Sequence, residues 1–218
     1  SEAMHALGVP TTRALAAVTT GEQVVRQEFE PGGVLARVAS SHIRIGTFQF
    51  FAAQKDTEAL TILTDHVLER HYPEQLDAEN RPLALLQSVI AAQAGLIAKW
   101  QLLGFIHGVM NTDNMSILGE TFDYGPYGFM EDYLPSYVCN HSDHQARYAF
   151  KNQPYIGLWN SSALGHALSS LISEEAQGEI LQTYEEIFQS TLAALFRKKL
   201  GLEQEESEDA ALIQGLLD

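Results

Sequence analysis

The spacing of apolar residues first follows a strand pattern. Between Arg13 and Val38, β-branched and other apolar residues lie in short runs separated by glycine and proline. Runs of this kind predict a short antiparallel sheet. Ahead of them, residues 1–7 are typical of the end of a helix that Gly8 and Pro10 stop. The sequence therefore predicts that the chain begins in mid-element.

Beyond Arg44 the apolar residues recur at helical spacing. Two helices are predicted before Pro73, and the second begins near Asp56. The longest periodic stretch, residues 82–103, has a broad apolar face and is followed by Gly104, a common stop residue. We expect it to be the central helix of the domain.

Residues 106–155 lack regular spacing and are rich in Gly, Asn, Asp and Pro. A long irregular segment in a compact domain is usually functional or disordered. This one contains many aromatic residues, which disordered segments lack, so we predict that it is ordered and functional. Helical spacing returns from Trp159, and the acidic run at 203–209 is interpreted as a solvated face or a helix start.

Composition and net charge narrow the classes of function that the sequence allows. The chain has 218 residues, 45% of them hydrophobic, and a formal net charge of −15. Such a charge disfavours nucleic-acid binding, which needs clustered Lys and Arg. The single cysteine, Cys139, excludes an intrachain disulfide. We found neither an apolar run of roughly 18 residues nor a signal-peptide start, so the prediction is a soluble protein of a bacterial-type cytoplasm without a membrane partner.

Two oxygen-rich loops carry the strongest chemical signal. The first is the run HGVMNTDN, which ends in Asp113 and Asn114, and the second begins with Asp123 in an Asp-Tyr-Gly run. Carboxylate and amide oxygens are the ligands that phosphate-bound Mg²⁺ prefers, and we predict Asn114 and Asp123 as metal ligands, with Mn²⁺ as an alternative ion. Asp113 has the chemistry to accept a proton from an attacking hydroxyl. The pattern indicates metal-assisted chemistry on a nucleotide.

The order of these loops resembles that of protein kinases, with a His-containing loop that ends in Asn, a strand, and then Asp-aromatic-Gly. One position departs from that pattern. Kinases place the catalytic Asp two residues after the His, and Val109 stands there in this chain. His107 itself is not expected to bind metal, because the corresponding His of a kinase-like loop is not a Mg²⁺ ligand.

A wider similarity is to the selenoprotein O (YdiU) family. It is carried by EAMHALGVPTTRALA, RVASSHIRIGTFQFFA, HGVMNTDNMSILGETFDYGPYGFM and QPYIGLWN, over roughly the first three-quarters of the chain. The resemblance implies transfer of AMP from ATP to Ser, Thr or Tyr hydroxyls of proteins. It implies that Asp113 is the base, that Asn114 and Asp123 hold the metal, and that Arg37 and Arg44 contact the nucleotide phosphates. From the residues alone, either arginine is equally well explained as a surface charge.

The resemblance also implies an α+β, protein-kinase-like fold. Residues 1–46 would be part of the sheet of the N-terminal lobe, and residues 47–218 a mainly helical C-terminal lobe. The family's glycine loop and lysine have no counterpart here, so the chain resembles an internal fragment with incomplete activity and a tendency to self-associate. A kinase-like phosphotransferase and a noncatalytic nucleotide-binding or protein-binding module stay open as alternatives.

Two further clusters have a structural interpretation that we prefer. Cys139, His141 and His144 are close in sequence, but no fourth zinc ligand with suitable spacing is evident. The aromatic residues of the irregular segment, among them Tyr127 and Phe129, are more often packing residues than the floor of a pocket.

Overall fold

The structure, a computed structural model, describes residues 1–26 and 28–217. These residues form eight α-helices, three short 3₁₀ helices and two small antiparallel sheets, so the predicted α+β class is confirmed. The helices are α1 (Glu2–Ala6), α2 (Ile45–Ala53), α3 (Thr57–His71), α4 (Arg81–Leu103), α5 (Gln153–Ala167), α6 (Glu174–Leu181), α7 (Thr183–Leu200) and α8 (Asp209–Leu217). The strands are β1 (Arg13–Val25), β2 (Phe29–Val38), β3 (Phe105–Ile106) and β4 (Gly128–Phe129). The predicted division of the chain at residues 46 and 47 stays a prediction.

Strands β1 and β2 form the antiparallel hairpin that the sequence predicts. Arg13 pairs with Val38 at the open end, and Val25 pairs with Phe29 near the turn. Apolar side chains on the hairpin are solvent-exposed, with Leu15 at 74% and Phe29 at 71%. A two-stranded ribbon cannot bury its own apolar groups, so the hairpin presents an uncovered apolar surface.

Helix α4 is the centre of the core, as its long apolar stripe predicts. Asn80 caps its first turn by accepting a hydrogen bond from the Leu83 N–H at 3.1 Å. Gly104 ends it in the left-handed conformation, with a φ of 65°, which glycine adopts without steric cost. Helices α3, α5 and α7 pack around α4.

Within the described residues, α4 also meets the length and hydropathy criteria of a membrane span, although we predicted no apolar run of that length. Its apolar window has a mean hydropathy of 1.4, and 61% of that window is buried in the fold. Core helices of soluble proteins pass the same criteria, so burial against the neighbouring helices accounts for the composition of α4.

Helix α5 begins at Gln153, earlier than the predicted return of helical spacing at Trp159. Pro154 lies in its first turn, where a missing N–H removes no helical hydrogen bond. The proline therefore starts the helix and does not belong to the irregular segment that the sequence predicts up to residue 155. The acidic run is partly a helix start, because Asp209 begins α8 and lies 3.7 Å from the Arg197 guanidinium.

The irregular segment is ordered, as predicted. Main-chain hydrogen bonds connect its distant parts, including Phe150 N–H to Tyr137 O at 3.0 Å and Lys151 N–H to Pro135 O at 2.9 Å. The Asp143 carboxylate accepts the main-chain N–H of Tyr148 at 2.7 Å. These contacts give the segment a defined path although it contains little regular secondary structure.

Candidate active site

The two oxygen-rich loops leave the same end of a small β-bridge. Met115 pairs with Thr121 in antiparallel orientation. Asn114 directly precedes Met115, and Asp123 follows Thr121 by two residues. Because the paired segments run in opposite directions, Asn114 and Asp123 lie at one end of the bridge. The structure thus brings the two predicted metal ligands to one end of the bridge.

The side chain of Asn114 is oriented by its own loop. Its Nδ2 donates a hydrogen bond to the Val109 carbonyl at 2.9 Å, and its main-chain N–H donates to Asn111 O at 3.0 Å. The amide nitrogen is therefore used within the loop, and Oδ1 remains as an acceptor. A free amide oxygen beside a carboxylate fits a hard cation such as Mg²⁺.

Asp123 forms an ion pair with Arg37 at the end of β2. Arg37 Nη1 lies 2.9 Å from Asp123 Oδ1 and 2.7 Å from the Phe122 carbonyl oxygen. The side chains are 30% and 40% exposed, respectively, so solvent reaches both partners. Asp123 Oδ1 is occupied by the guanidinium, which leaves Oδ2 as the oxygen for a metal ion.

The Arg44 side chain also lies against Phe122, the residue that precedes Asp123. Its guanidinium carbon lies 4.5 Å from the centroid of the Phe122 ring, and that of Arg37 lies 5.8 Å from it. Arg44 Nε is buried and has no hydrogen-bond partner within the described residues. The structure therefore gathers both predicted arginines around Phe122, next to Asp123, and leaves the buried Arg44 Nε without a partner among the described residues.

Asp113 is exposed at the surface of this site. Its carboxylate lies against Gly46 in the first turn of α2, so closely that a methyl group on Gly46 would overlap it. Within the part of the chain that the structure describes, no hydrogen bond holds this carboxylate. The position of Asp113 therefore depends on its main chain and on the space that Gly46 leaves.

His107 belongs to the core. Its side chain is 1% exposed and lies beside Trp100, with ring centroids 5.2 Å apart. Burial lowers the pKa of His107 to about 4, because the charged imidazolium is poorly solvated there. Its Nδ1 accepts the Val109 N–H at 3.3 Å, so the neutral ring supports the loop from beneath.

Sequence reasoning missed three side chains that hold this loop. Gln153, Asn160 and Asn140 each hydrogen-bond to its main chain. Gln153 and Asn160 lie in the run QPYIGLWN, to which we had assigned no chemistry. The sequence signal for this role is a pair of amides seven residues apart on an otherwise largely apolar helix, because such positions share one face.

The second loop is fixed by the chain near the N-terminus. Thr121 N–H donates to Pro10 O at 2.8 Å, and Thr12 N–H donates to Thr121 O at 3.1 Å. The Tyr124 hydroxyl also hydrogen-bonds to Thr11 Oγ1. Burial raises the pKa of Tyr124, so this hydroxyl keeps its proton at neutral pH.

The other two clusters have structural roles. Cys139 Sγ points at the Pro126 carbonyl, and burial raises the pKa of its thiol. Across residues 1–26 and 28–217, no group of three or more His, Cys, Asp and Glu side chains is arranged to hold a metal ion. Tyr127 and Phe129 pack against Phe105, with ring centroids 6.1 and 5.3 Å away.

Comparison with known proteins decides the family. The family model described as "Protein adenylyltransferase SelO" matches residues 1–218. The chain belongs to this family. Proteins named "Protein nucleotidyltransferase YdiU" are 55% identical to it in Bradyrhizobium diazoefficiens over 224 residues, and 57% identical in Rhodopseudomonas palustris over 223 residues. All of this chain is covered in both cases, but only 46% and 45% of those SelO-family proteins. The chain spans about half the length of the curated relatives that it matches.

Proposed function

We propose that this chain carries the base and the metal-binding loops of an enzyme that transfers AMP from ATP to Ser, Thr or Tyr hydroxyls of proteins. The observation that carries the proposal is the convergence of Asn114, Asp123, Arg37 and Arg44 at one end of the Met115–Thr121 bridge. Oxygen ligands beside two guanidinium groups are suited to a metal-bound triphosphate. The family description supports ATP and a protein as the substrates.

In this mechanism Asp113 accepts the proton of the target hydroxyl. The hydroxyl oxygen forms a bond to the α-phosphorus of ATP, the bond between that phosphorus and the bridging oxygen breaks, and pyrophosphate leaves. A bound Mg²⁺ supplies positive charge to the triphosphate, and Asn114 Oδ1 and Asp123 Oδ2 would hold it. Arg37 and Arg44 orient the phosphates and offset their charge.

The proposal includes a kinase-like architecture and a cytoplasmic location. Support for the architecture is the long buried helix α4, followed by the two loops in kinase order on a short β-bridge. The departure at Val109 removes the usual kinase base. Asp113 is the exposed carboxylate next to the metal ligands, so it takes that role in the proposal.

Calorimetric titration of the chain with ATP and Mg²⁺ tests the nucleotide site. Asp123→Ala should abolish binding, whereas Asp132→Ala, which removes an exposed carboxylate outside the site, should leave it unchanged. Binding that survives in Asp123→Ala would refute the metal site.

ATP labelled at either the α-phosphate or the γ-phosphate distinguishes the two transferase reactions. Label from the α-phosphate on a protein target supports AMP transfer, and label from the γ-phosphate supports a phosphotransferase instead. Nucleotide binding without transfer of either label identifies a noncatalytic binding module.

A further inference from the structure

Side-chain amides hold the main chain of the loop that leads to Asp113. Each residue from 107 to 110 has one main-chain group bound to a side-chain amide, and so has Phe105. The bonds run from Gln153 Nε2 to Phe105 O at 2.9 Å, from the His107 N–H to Gln153 Oε1 at 2.9 Å, from Asn140 Nδ2 to Gly108 O at 3.0 Å, from Asn114 Nδ2 to Val109 O at 2.9 Å, and from Asn160 Nδ2 to Met110 O at 2.9 Å. In regular secondary structure, main-chain groups would supply these partners.

Helix α5 provides the two deepest of these amides. Gln153 and Asn160 are both 0% exposed and lie seven residues apart, about two helical turns, so both face the loop. Gln153 uses both ends of its amide, as donor to Phe105 O and as acceptor for His107 N–H. Asn160 Nδ2 donates to Met110 O of the loop and to Ile156 O of its own helix, both at 2.9 Å, while its Oδ1 has no partner among the described residues. The bonds that the two amides make to the loop favour one path of its main chain.

The path of the loop matters because the carboxylate of Asp113 has no hydrogen bond of its own in the described residues. Its location follows from the main chain between Phe105 and Asn114. Asn114 Oδ1 depends on the same main chain, because Asn114 Nδ2 is bound to Val109 O. A shift of this segment would move the base and one metal ligand together.

We propose that Gln153 and Asn160 are positioning residues that hold the main chain of residues 105–110, so that Asp113 and Asn114 face the nucleotide. The inference rests on the proposed function for the identity of the ligand. The placement of the loop by α5 does not depend on that identity and has its own measurement.

The test compares Gln153→Met and Asn160→Leu with a matched control, Ser161→Ala. Ser161 is also 0% exposed on α5, but its Oγ donates to Gly157 O of the same helix at 3.1 Å. All three changes remove a buried polar group from one helix, and two of them release the loop. Affinity is measured below the unfolding temperature of each variant, so that loss of fold is not counted as loss of binding.

Hydrogen exchange of the loop amides is the first readout. The N–H of His107 should exchange about tenfold faster in Gln153→Met, as expected for loss of one buried hydrogen bond. Asn160→Leu removes the partner of Met110 O and should loosen the neighbouring main chain, so the N–H of Val109, which donates to His107 Nδ1, should also exchange faster. Ser161→Ala should leave both rates within about twofold of the wild type. Equal rates in all three variants would overturn the inference.

Affinity for Mg·ATP is the second readout. We expect it to weaken about tenfold in the two loop variants and to stay unchanged in Ser161→Ala. A wild-type chain that does not bind Mg·ATP would refute a nucleotide site within this chain, while the exchange rates would still decide the placement of the loop. Loop variants that bind as tightly as the wild type would overturn the positioning role.

A conservative variant gives a pH profile that a purely structural defect would not. In Gln153→Glu the carboxylate keeps an acceptor for His107 N–H but loses the donor to Phe105 O. Protonation of the new side chain restores that donor, so affinity should recover relative to wild type as the pH is lowered. A constant ratio of affinities across pH would contradict the role of this hydrogen bond, and this comparison stands even where Asn160→Leu fails to fold.

Discussion

Replacing Arg37 with glutamine should change metal binding and nucleotide binding in opposite directions. In the nucleotide-free chain the Arg37 guanidinium lies 2.9 Å from Asp123 Oδ1. It therefore offsets the charge of the carboxylate that we propose as a metal ligand. When a nucleotide binds, the same guanidinium would be attracted to the phosphates. Arg37→Gln removes the guanidinium that competes with the metal ion for Asp123. The same change removes the group that would bind the phosphates.

The size of the metal effect follows from the geometry. A Mg²⁺–oxygen distance of about 2.1 Å at Oδ2, beside the 2.9 Å ion pair at Oδ1, places the metal on the order of 5 Å from the guanidinium nitrogen. A divalent cation and a unit positive charge at that separation repel by about 7 kcal/mol at an effective dielectric constant of about 20, and by about 2 kcal/mol at that of bulk water. Both side chains are at least 30% exposed, and solvent screening reduces the repulsion to about 1–2 kcal/mol. Affinity for the metal alone should rise about tenfold.

Affinity for the nucleotide should fall by a similar factor. A charge-assisted hydrogen bond to phosphate contributes about 1.5–3 kcal/mol, which is about tenfold or more. Titration of free Mn²⁺ by electron paramagnetic resonance measures the metal, and calorimetry with Mg·ATP measures the nucleotide. Arg81→Gln is the control, because Arg81 pairs with Asp65 at 3.3 Å and with similar exposure outside the site.

Mn²⁺ affinity that is unchanged in Arg37→Gln, or that falls together with nucleotide affinity, would refute a role of the Arg37–Asp123 ion pair in metal binding. A change of equal size in Arg81→Gln would show that net charge, and not the ion pair at Asp123, sets metal affinity.

Three further outcomes are expected. Gly46→Ala should displace the Asp113 carboxylate and lower transfer activity at least tenfold, with the unfolding temperature almost unchanged. Full activity in this variant would show that Asp113 need not lie against α2. Because burial lowers the pKa of His107 to about 4, folding disfavours its protonation, so the stability that the neutral ring provides above pH 6.5 is lost as the pH falls toward 4. Denaturant titrations should show a loss of at most about 3 kcal/mol over this range, and His107→Gln should flatten the profile. Light scattering should detect concentration-dependent association through the β1–β2 hairpin, and Leu15→Lys with Phe29→Lys should reduce it; a wild-type monomer at all concentrations would contradict this.

The sequence predicted the elements whose signal is local. The period of the apolar residues locates α4 to within a residue, because that helix has a continuous buried stripe and a glycine stop. The β1–β2 hairpin follows from its apolar runs and turn residues. The start of α5 was misplaced, because Pro154 has two local meanings: it ends a loop and also begins a helix.

The site shows a different limit. Sequence reasoning selected Asn114, Asp123, Arg37 and Arg44, and the structure gathers them, but their functional roles stay predictions. The ion pair between Arg37 and Asp123 joins residues 86 positions apart, and no periodicity encodes such a contact. The space that Gly46 leaves for Asp113 likewise depends on the packing of α2 against the loop. Both features arise from tertiary packing, which a single sequence does not specify locally.

The support of the loop by α5 lies between these two cases. A buried polar side chain must find a partner, so an amide on the inner face of a core helix indicates that unpaired main chain lies opposite. Gln153 and Asn160 occupy such positions, and the irregular loop after α4 is the segment that needs partners. The loop has main-chain groups without main-chain partners, and α5 has buried amides that need partners. This match could have been predicted from the sequence. Hydrogen-bond demand, and not hydrophobic spacing, is the signal that connects the run QPYIGLWN to the chemistry of Asp113.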